Sequence, residues 1–184
     1  MKIIKSKRKT ISIEITTDAE VIVRAPKRMS DKAIRNFVEE KRSFIEKNVA
    51  KMQERKDSLS DIRTITDIEL DELVIQAKRV IPERVKYYAP IVGVEYGRVT
   101  IRKQRTRWGS CSTKGNLNFN VALMRAPLEV LDYVVVHELC HRLEMNHSSK
   151  FWDNVARVLP EYKTYRKWLK DNGEKVMAEV IGSF

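Results

Sequence analysis

Between residues 10 and 16 apolar and polar positions alternate, with Ile11, Ile13 and Ile15 on one face and Thr10, Ser12, Glu14 and Thr16 on the other. That is the period of a half-buried strand. Asp18-Ala19 offers a turn, and residues 20–24 read as a second strand ended by Pro26, so the chain is expected to open with a β-hairpin. From residue 31 to about residue 55 the period becomes helical. Ser30 supplies the cap, and Ile34, Phe37, Val38, Phe44, Ile45, Val49 and Met52 form one apolar stripe that predicts a long helix facing a core. The run Ser58-Leu59-Ser60-Asp61 loses this periodicity as the charge density falls. It divides an N-terminal part, residues 1–60, from a second domain, residues 61–184.

The second domain begins with a capping box, Thr66-Asp67-Ile68-Glu69, in which hydroxyl and carboxylate each satisfy an orphan backbone N–H. A helix is expected to follow to about residue 88, with a kink or a break near Val80 and Ile81 because Pro82 lacks a donor. Residues 98–103, 106–112 and 117–123 read as three extended stretches with Gly115-Asn116 between the last two, which fits an antiparallel meander. Pro127 and Glu129 suit the start of a central helix. Leu131, Val134, Val135, Leu139 and Leu143 are expected to bury it, and its three consecutive valines make it depend on packing rather than propensity. Ser148 can cap a further helix carrying Phe151, Trp152, Val155, Val158 and Leu159. Pro160 interrupts it, residues 161–171 resume it, and Asn172-Gly173 reads as its stop. Strands in one block, packed on helices, predict the α+β class.

The central helix carries the chemistry. His137-Glu138-Leu139-Cys140-His141 places two imidazoles four residues apart on one helical face, where they can share a zinc ion, and His147 is the only other histidine in the chain. Three protein ligands leave a tetrahedral zinc one open position, the arrangement of a catalytic site rather than a structural one. Zinc lowers the pKa of its bound water to about 7, and Glu138, next to a ligand, is placed to take that proton as general base. The spacing of His137, His141 and His147 equals that of metzincins, but Glu144 stands where those have a turn-forming glycine. Asn146 is then the natural residue to turn the chain in the left-handed conformation. Glu144 is the competing third ligand, with Asp153 a weaker one.

Composition narrows the setting. The share of hydrophobic residues is 42% and of charged residues 33%, and no apolar run approaches the roughly 18 residues of a membrane helix. The basic N-terminus lacks the apolar core of a signal peptide, so a cytoplasmic protein is expected. Its two cysteines, Cys111 and Cys140, are too few for a disulfide framework and read as small buried apolar residues. The net charge of +11 sits in two blocks. Residues 97–125 alone carry seven basic side chains and no acidic one, running directly towards the histidine helix. An anionic substrate or a nucleic-acid contact through this basic surface is therefore a live alternative. Arg105 and Arg107 are candidates for holding an anion or polarising an oxyanion.

Taken together, Arg107-Trp108-Gly109-Ser110-Cys111-Ser112, Asn118, Asn120, Asp132-Tyr133-Val134-Val135, the histidine motif and Asn146-His147-Ser148 with Phe151-Trp152 resemble the YgjP-like metallopeptidases, which are similar to SprT-like and WLM zinc proteases. The resemblance covers most of the chain. It implies a minimal zincin: a small antiparallel sheet packed on the histidine helix and flanking helices, preceded by an N-terminal β-hairpin and long helix. It further implies Zn2+ on His137, His141 and His147, Glu138 as base, and a cleft bordered by the strands from Trp108 to Asn120, which adds Trp108, Asn118 and Asn120 to the possible substrate contacts. A peptide or protein substrate is expected, with residues 117–123 offering a sheet edge for an extended peptide. The alternatives are a nucleoside triphosphate pyrophosphohydrolase, an activity to which members of that family have been linked, and a non-enzymatic nucleic-acid-binding module, which would leave the histidines unused.

Overall fold

A computed structural model describes residues 1–182, and the chain forms two compact units, Met1–Ile62 and Arg63–Phe184. In the first, β2 (Ser12–Ile15) and β3 (Val21–Pro26) pair antiparallel with Ile13 opposite Val23, as the alternation predicts. An unpredicted strand, β1 (Lys2–Ser6), joins parallel to β3 to give the order β1-β3-β2. Its two isoleucines among lysines carry too little alternation to signal a strand. Val23, Ala25 and Ile34 form this unit's core, with Ile11, Ile13, Val21, Met29 and Val38 against it.

The expected long helix is two helices, α1 (Asp31–Glu40), capped by Ser30 Oγ on the Ala33 N–H, and α2 (Arg42–Ser60). They part at Lys41. Helix α2 runs through Ser58 and Ser60 and buries none of its residues, and Phe44 is 56% exposed. Helical periodicity therefore identified a face correctly but not its burial, because an apolar stripe needs a partner surface that spacing alone does not supply.

In the second unit the capping box forms as expected. Glu69 N–H donates to Thr66 Oγ1, and the Thr66 N–H donates to the Glu69 carboxylate at 2.7 Å. Helix α3 (Asp67–Val92) continues past Pro82 and Pro90 without a break and ends on Gly93, whose φ of +85° is the left-handed cap that glycine adopts at little cost. The sheet comprises β4 (Val99–Arg102), β5 (Gly109–Cys111) and β6 (Leu117–Asn120) in the order β4-β6-β5. It is mixed rather than an antiparallel meander, since β6 runs parallel to β4 and antiparallel to β5. Asn120 explains how the crossing is held. Fully buried, it donates from Nδ2 to the carbonyls of Gln104 (2.6 Å) and Arg107 (2.8 Å), while its Oδ1 accepts from the Ala122 N–H. The loop that carries the chain past β6 is thereby pinned to the end of β6. With β4 and β5 on either side, residues 117–120 present no free edge, which corrects the expectation for a substrate-binding strand there.

A 3-10 turn over Val121–Arg125 leads into α4 (Leu128–Cys140), ten of whose thirteen residues are buried. Such burial overcomes the low helix propensity of its valines. Arg84 of α3 grips Asp132 of α4 with two N–H donors at 2.5 and 2.6 Å, and Tyr88 Oη donates to the same carboxylate. A bidentate pair of this kind fixes the register of the two helices as well as their contact. Helices α5 (Ser149–Val158) and α6 (Tyr162–Ile181) complete the unit. Asn172-Gly173 does not stop α6. A Cβ at Gly173 would lie 2.9 Å from Trp108 Cζ2, so the glycine makes room for the indole in mid-helix. The architecture is α+β, and none of the described helices is long and apolar enough to cross a membrane.

Candidate metal centre

His137 occupies the last turn of α4. His141 caps it with φ −64° and ψ −12°, still helical, so the four-residue spacing keeps both imidazoles on one face. Beyond the cap, turns at Arg142 to Glu144 bring the chain back, and Ser148 N–H donates to the Asn146 carbonyl. Among the described residues the only non-glycine with positive φ is Ala19. The return of the chain thus uses neither a left-handed Asn146, as expected, nor a substitute at Glu144. Leu143, expected to be buried, is 44% exposed, because the helix has ended before it.

The return places His147 Nε2 3.0 Å from His137 Nε2, and one nitrogen of each of the three histidines falls within 4.8 Å of the others. Two nitrogens on one tetrahedral zinc, each about 2.0–2.1 Å from it, lie roughly 3.4 Å apart, so the donor set is close to the spacing an ion requires. His141 Nδ1 faces the Glu144 carbonyl at 3.2 Å. In the tautomer that donates there, its Nε2 keeps a free lone pair for a metal. Burial, reinforced by His141, His147 and Arg166, pulls His137 down to about 3, and burial likewise lowers His141. Both rings are therefore held neutral, the form that ligates. The residues fit a three-nitrogen metal site. Glu144 contributes a backbone carbonyl to it, and neither Glu144 nor Asp153 belongs to the ligand cluster.

Glu138 is 5% exposed and shares an open cavity of about 310 Å³ with the three histidines, Arg107, Gly109, Ser110, Cys111 and Met145. Burial alone raises its carboxyl to about 8. Strand β5 passes directly over it. A Cβ on Gly109 would sit 2.7 Å from both Glu138 Cγ and Oε1, so only glycine admits the carboxylate beneath the strand.

Of the expected substrate contacts, only Arg107 lines this cavity. Arg105 is exposed but elsewhere. Trp108 is half-buried against Gly173. Asn118 bridges the sheet, donating to Ser110 Oγ and accepting from Arg102. Asn120 is inaccessible, and its role in pinning the 104–107 loop corrects its reading as a substrate contact. Cys111, expected to be buried, is half-buried and lines the cavity, while burial and the Glu138 charge raise its thiol pKa. Cys140 is fully buried, as expected. The sequence did not mark Phe151 as part of the centre. Its fully buried ring lies 4.6 to 4.9 Å from all three imidazoles and packs beneath them. Its place in an apolar helical stripe concealed that role.

These shifts make a testable prediction for the metal-free protein. His137 falls from 6.5 to about 3 on folding, so the stability it contributes is complete above pH 6.5 and lost as pH falls towards 3. Glu138 rises from 4.5 to about 8, so its contribution is complete below pH 4.5 and lost as pH rises through 8. Chemical denaturation across this range should therefore show greatest stability between pH 4.5 and 6.5, with an alkaline decline that Glu138→Gln removes. An alkaline decline unchanged in that variant would contradict the assignment.

A family model described as YgjP-like, metallopeptidase domain, matches residues 9–72 and 70–172. No curated protein matches the chain. Among solved structures, the metallopeptidase zymogen of Pyrococcus abyssi abylysin is 27% identical over 50% of this chain and 94% of its own, with a TM-score of 0.45. The metallopeptidase zymogen of Methanocaldococcus jannaschii jannalysin is 20% identical over 50% of this chain and 96% of its own, also with a TM-score of 0.45.

Proposed function

The chain belongs to the YgjP-like metallopeptidase family, and we propose that it is a zinc peptidase in which His137, His141 and His147 hold the metal and Glu138 carries the proton. The observation that bears this reading is the shared cavity: a buried carboxylate and three imidazoles open onto it beside one strand edge. Zinc, when bound, polarises water and the scissile carbonyl and supplies the positive charge that restores Glu138 to its carboxylate form.

Glu138 accepts the proton of the attacking water at a carboxylate oxygen and returns it to the amine leaving group. Among the described residues, strand β5 pairs on one side only, with β6. An extended peptide added along its other edge runs past the histidines, its backbone held by hydrogen bonds independent of side-chain identity. Phe151 and the buried face of α4 exclude water from beneath the centre.

The runner-up reading, hydrolysis of a nucleoside triphosphate, is favoured by one observation: Arg107 is the one Lys or Arg among the residues lining the cavity, in a stretch with no acidic residue to neutralise it. A panel of peptides, unfolded proteins and nucleoside triphosphates, assayed with zinc-loaded wild type, separates the two. Peptide cleavage is the expected result. Triphosphate cleavage without any peptide cleavage would overturn the peptidase reading.

A further inference from the structure

The three histidines differ in what holds them. His137 lies within α4, and His141 caps it with Nδ1 against the Glu144 carbonyl. His147 is exposed, stands outside any helix, and among the described residues its Nδ1 makes no hydrogen bond. A ligand imidazole ordinarily donates its second nitrogen to a carbonyl or carboxylate, which fixes its ring plane. His147 has an aromatic neighbour instead. The Trp152 indole is stacked on it, ring centroids 5.7 Å apart and planes inclined by 22°.

Trp152 is itself clamped. Tyr162 stacks on it at 5.4 Å and 16°, and the Arg166 guanidinium carbon lies 4.7 Å from its ring centroid. Tyr162 and Arg166 are one turn apart on α6, so a rigid helix presents both to the indole. Trp152 sits in the first turn of α5, immediately after the loop that carries His147, and Ser148 caps that turn on the Phe151 N–H. With Phe151 packed edge-on against the same imidazole, the stack ties a loop ring to two helices and sets its plane.

We propose that Trp152 is a positioning residue for His147, and that the stack from Tyr162 and Arg166 through Trp152 replaces the missing hydrogen bond in setting the plane of the third ligand. It rests on the three-histidine reading of the metal centre. An exposed imidazole rotates freely about its Cβ–Cγ bond. Stacking confines that rotation to the ring plane in which Nε2 lies 3.0 Å from His137 Nε2, so less of the ligand's freedom is left to lose when metal arrives.

Calorimetric zinc binding to wild type, Trp152→Leu, His147→Ala and the double variant tests this, with the melting of each metal-free protein measured alongside. Trp152→Leu is expected to weaken zinc about 10- to 100-fold, the usual cost of losing a ligand's support. In the His147→Ala background the same change should alter affinity less than about twofold, because the group it positions has gone. Trp152→Tyr, which keeps a ring face, should recover most of the loss. Unchanged affinity in Trp152→Leu, or an equal loss in both backgrounds, would overturn the proposal. If Trp152→Leu loses its cooperative melting transition, Tyr162→Leu replaces it in the cycle, with a several-fold loss expected only where His147 is present and an equal loss in both backgrounds again overturning it. Wild type that binds no zinc would instead overturn the metal-centre reading itself.

Discussion

Glu138→Gln should reduce kcat for peptide cleavage by about 10²- to 10⁴-fold, the usual contribution of a positioned general acid–base group. The amide has nearly the shape of the carboxylate, so the space beneath β5 stays filled and the three imidazoles keep their geometry. Zinc occupancy should be unchanged, because the predicted ligand set contains no carboxylate. What is lost is an oxygen that can accept a proton, in a place where the next carboxylate does not reach the cavity. The variant should also be more stable than wild type above pH 8 when metal-free, since the group whose burial opposes ionisation has been removed. Metal content by elemental analysis, with steady-state kinetics on the same preparation, checks both statements. Wild-type turnover in a zinc-replete variant would remove Glu138 from the mechanism.

Gly109→Ala should come next in severity. The new Cβ falls 2.7 Å from Glu138 Cγ as well as from Oε1, so a swing of the carboxylate end alone does not relieve the clash and the side chain must move as a whole. Displacement of a catalytic group by about 1 Å costs on the order of 10² in rate. The loss should fall on kcat, with zinc affinity retained, because Gly109 approaches Glu138 and not the three histidines. The overpacking itself should cost about 1–3 kcal/mol of stability, which thermal melting would register. Near-normal kcat would show that the strand yields instead and that the close approach of β5 does not position Glu138.

Gly109 also shows where sequence reasoning reaches its limit. The histidine pair and Glu138 were legible because their relationship is local: a helix converts a spacing of four into a shared face. The capping box at Thr66 and the cap at Ser148 were legible for the same reason. Contacts set by tertiary pairing were not. Gly109 and Glu138 touch because one strand crosses over one helix, and no periodicity records that crossing. Gly173 looked like a helix stop since glycine commonly is one, yet it serves the Trp108 indole from the middle of α6. Asn120 looked like a polar strand residue available to substrate, whereas its amide is consumed by the loop it pins. Strand order failed similarly. Extended stretches were visible, but insertion of β6 between β4 and β5 depends on that same pinned loop. Trp152 belonged to an apolar stripe, and only the return of the chain after His141 turns one of its faces towards His147.

Titration of the metal-free protein with zinc, following bound metal and peptide cleavage in the same samples, tests the central claim most directly. One zinc per chain should bind, and cleavage should rise in proportion to occupancy and level off at one equivalent. Cleavage that persists without metal, or a chain that fills with one zinc and cleaves no peptide, would contradict the account.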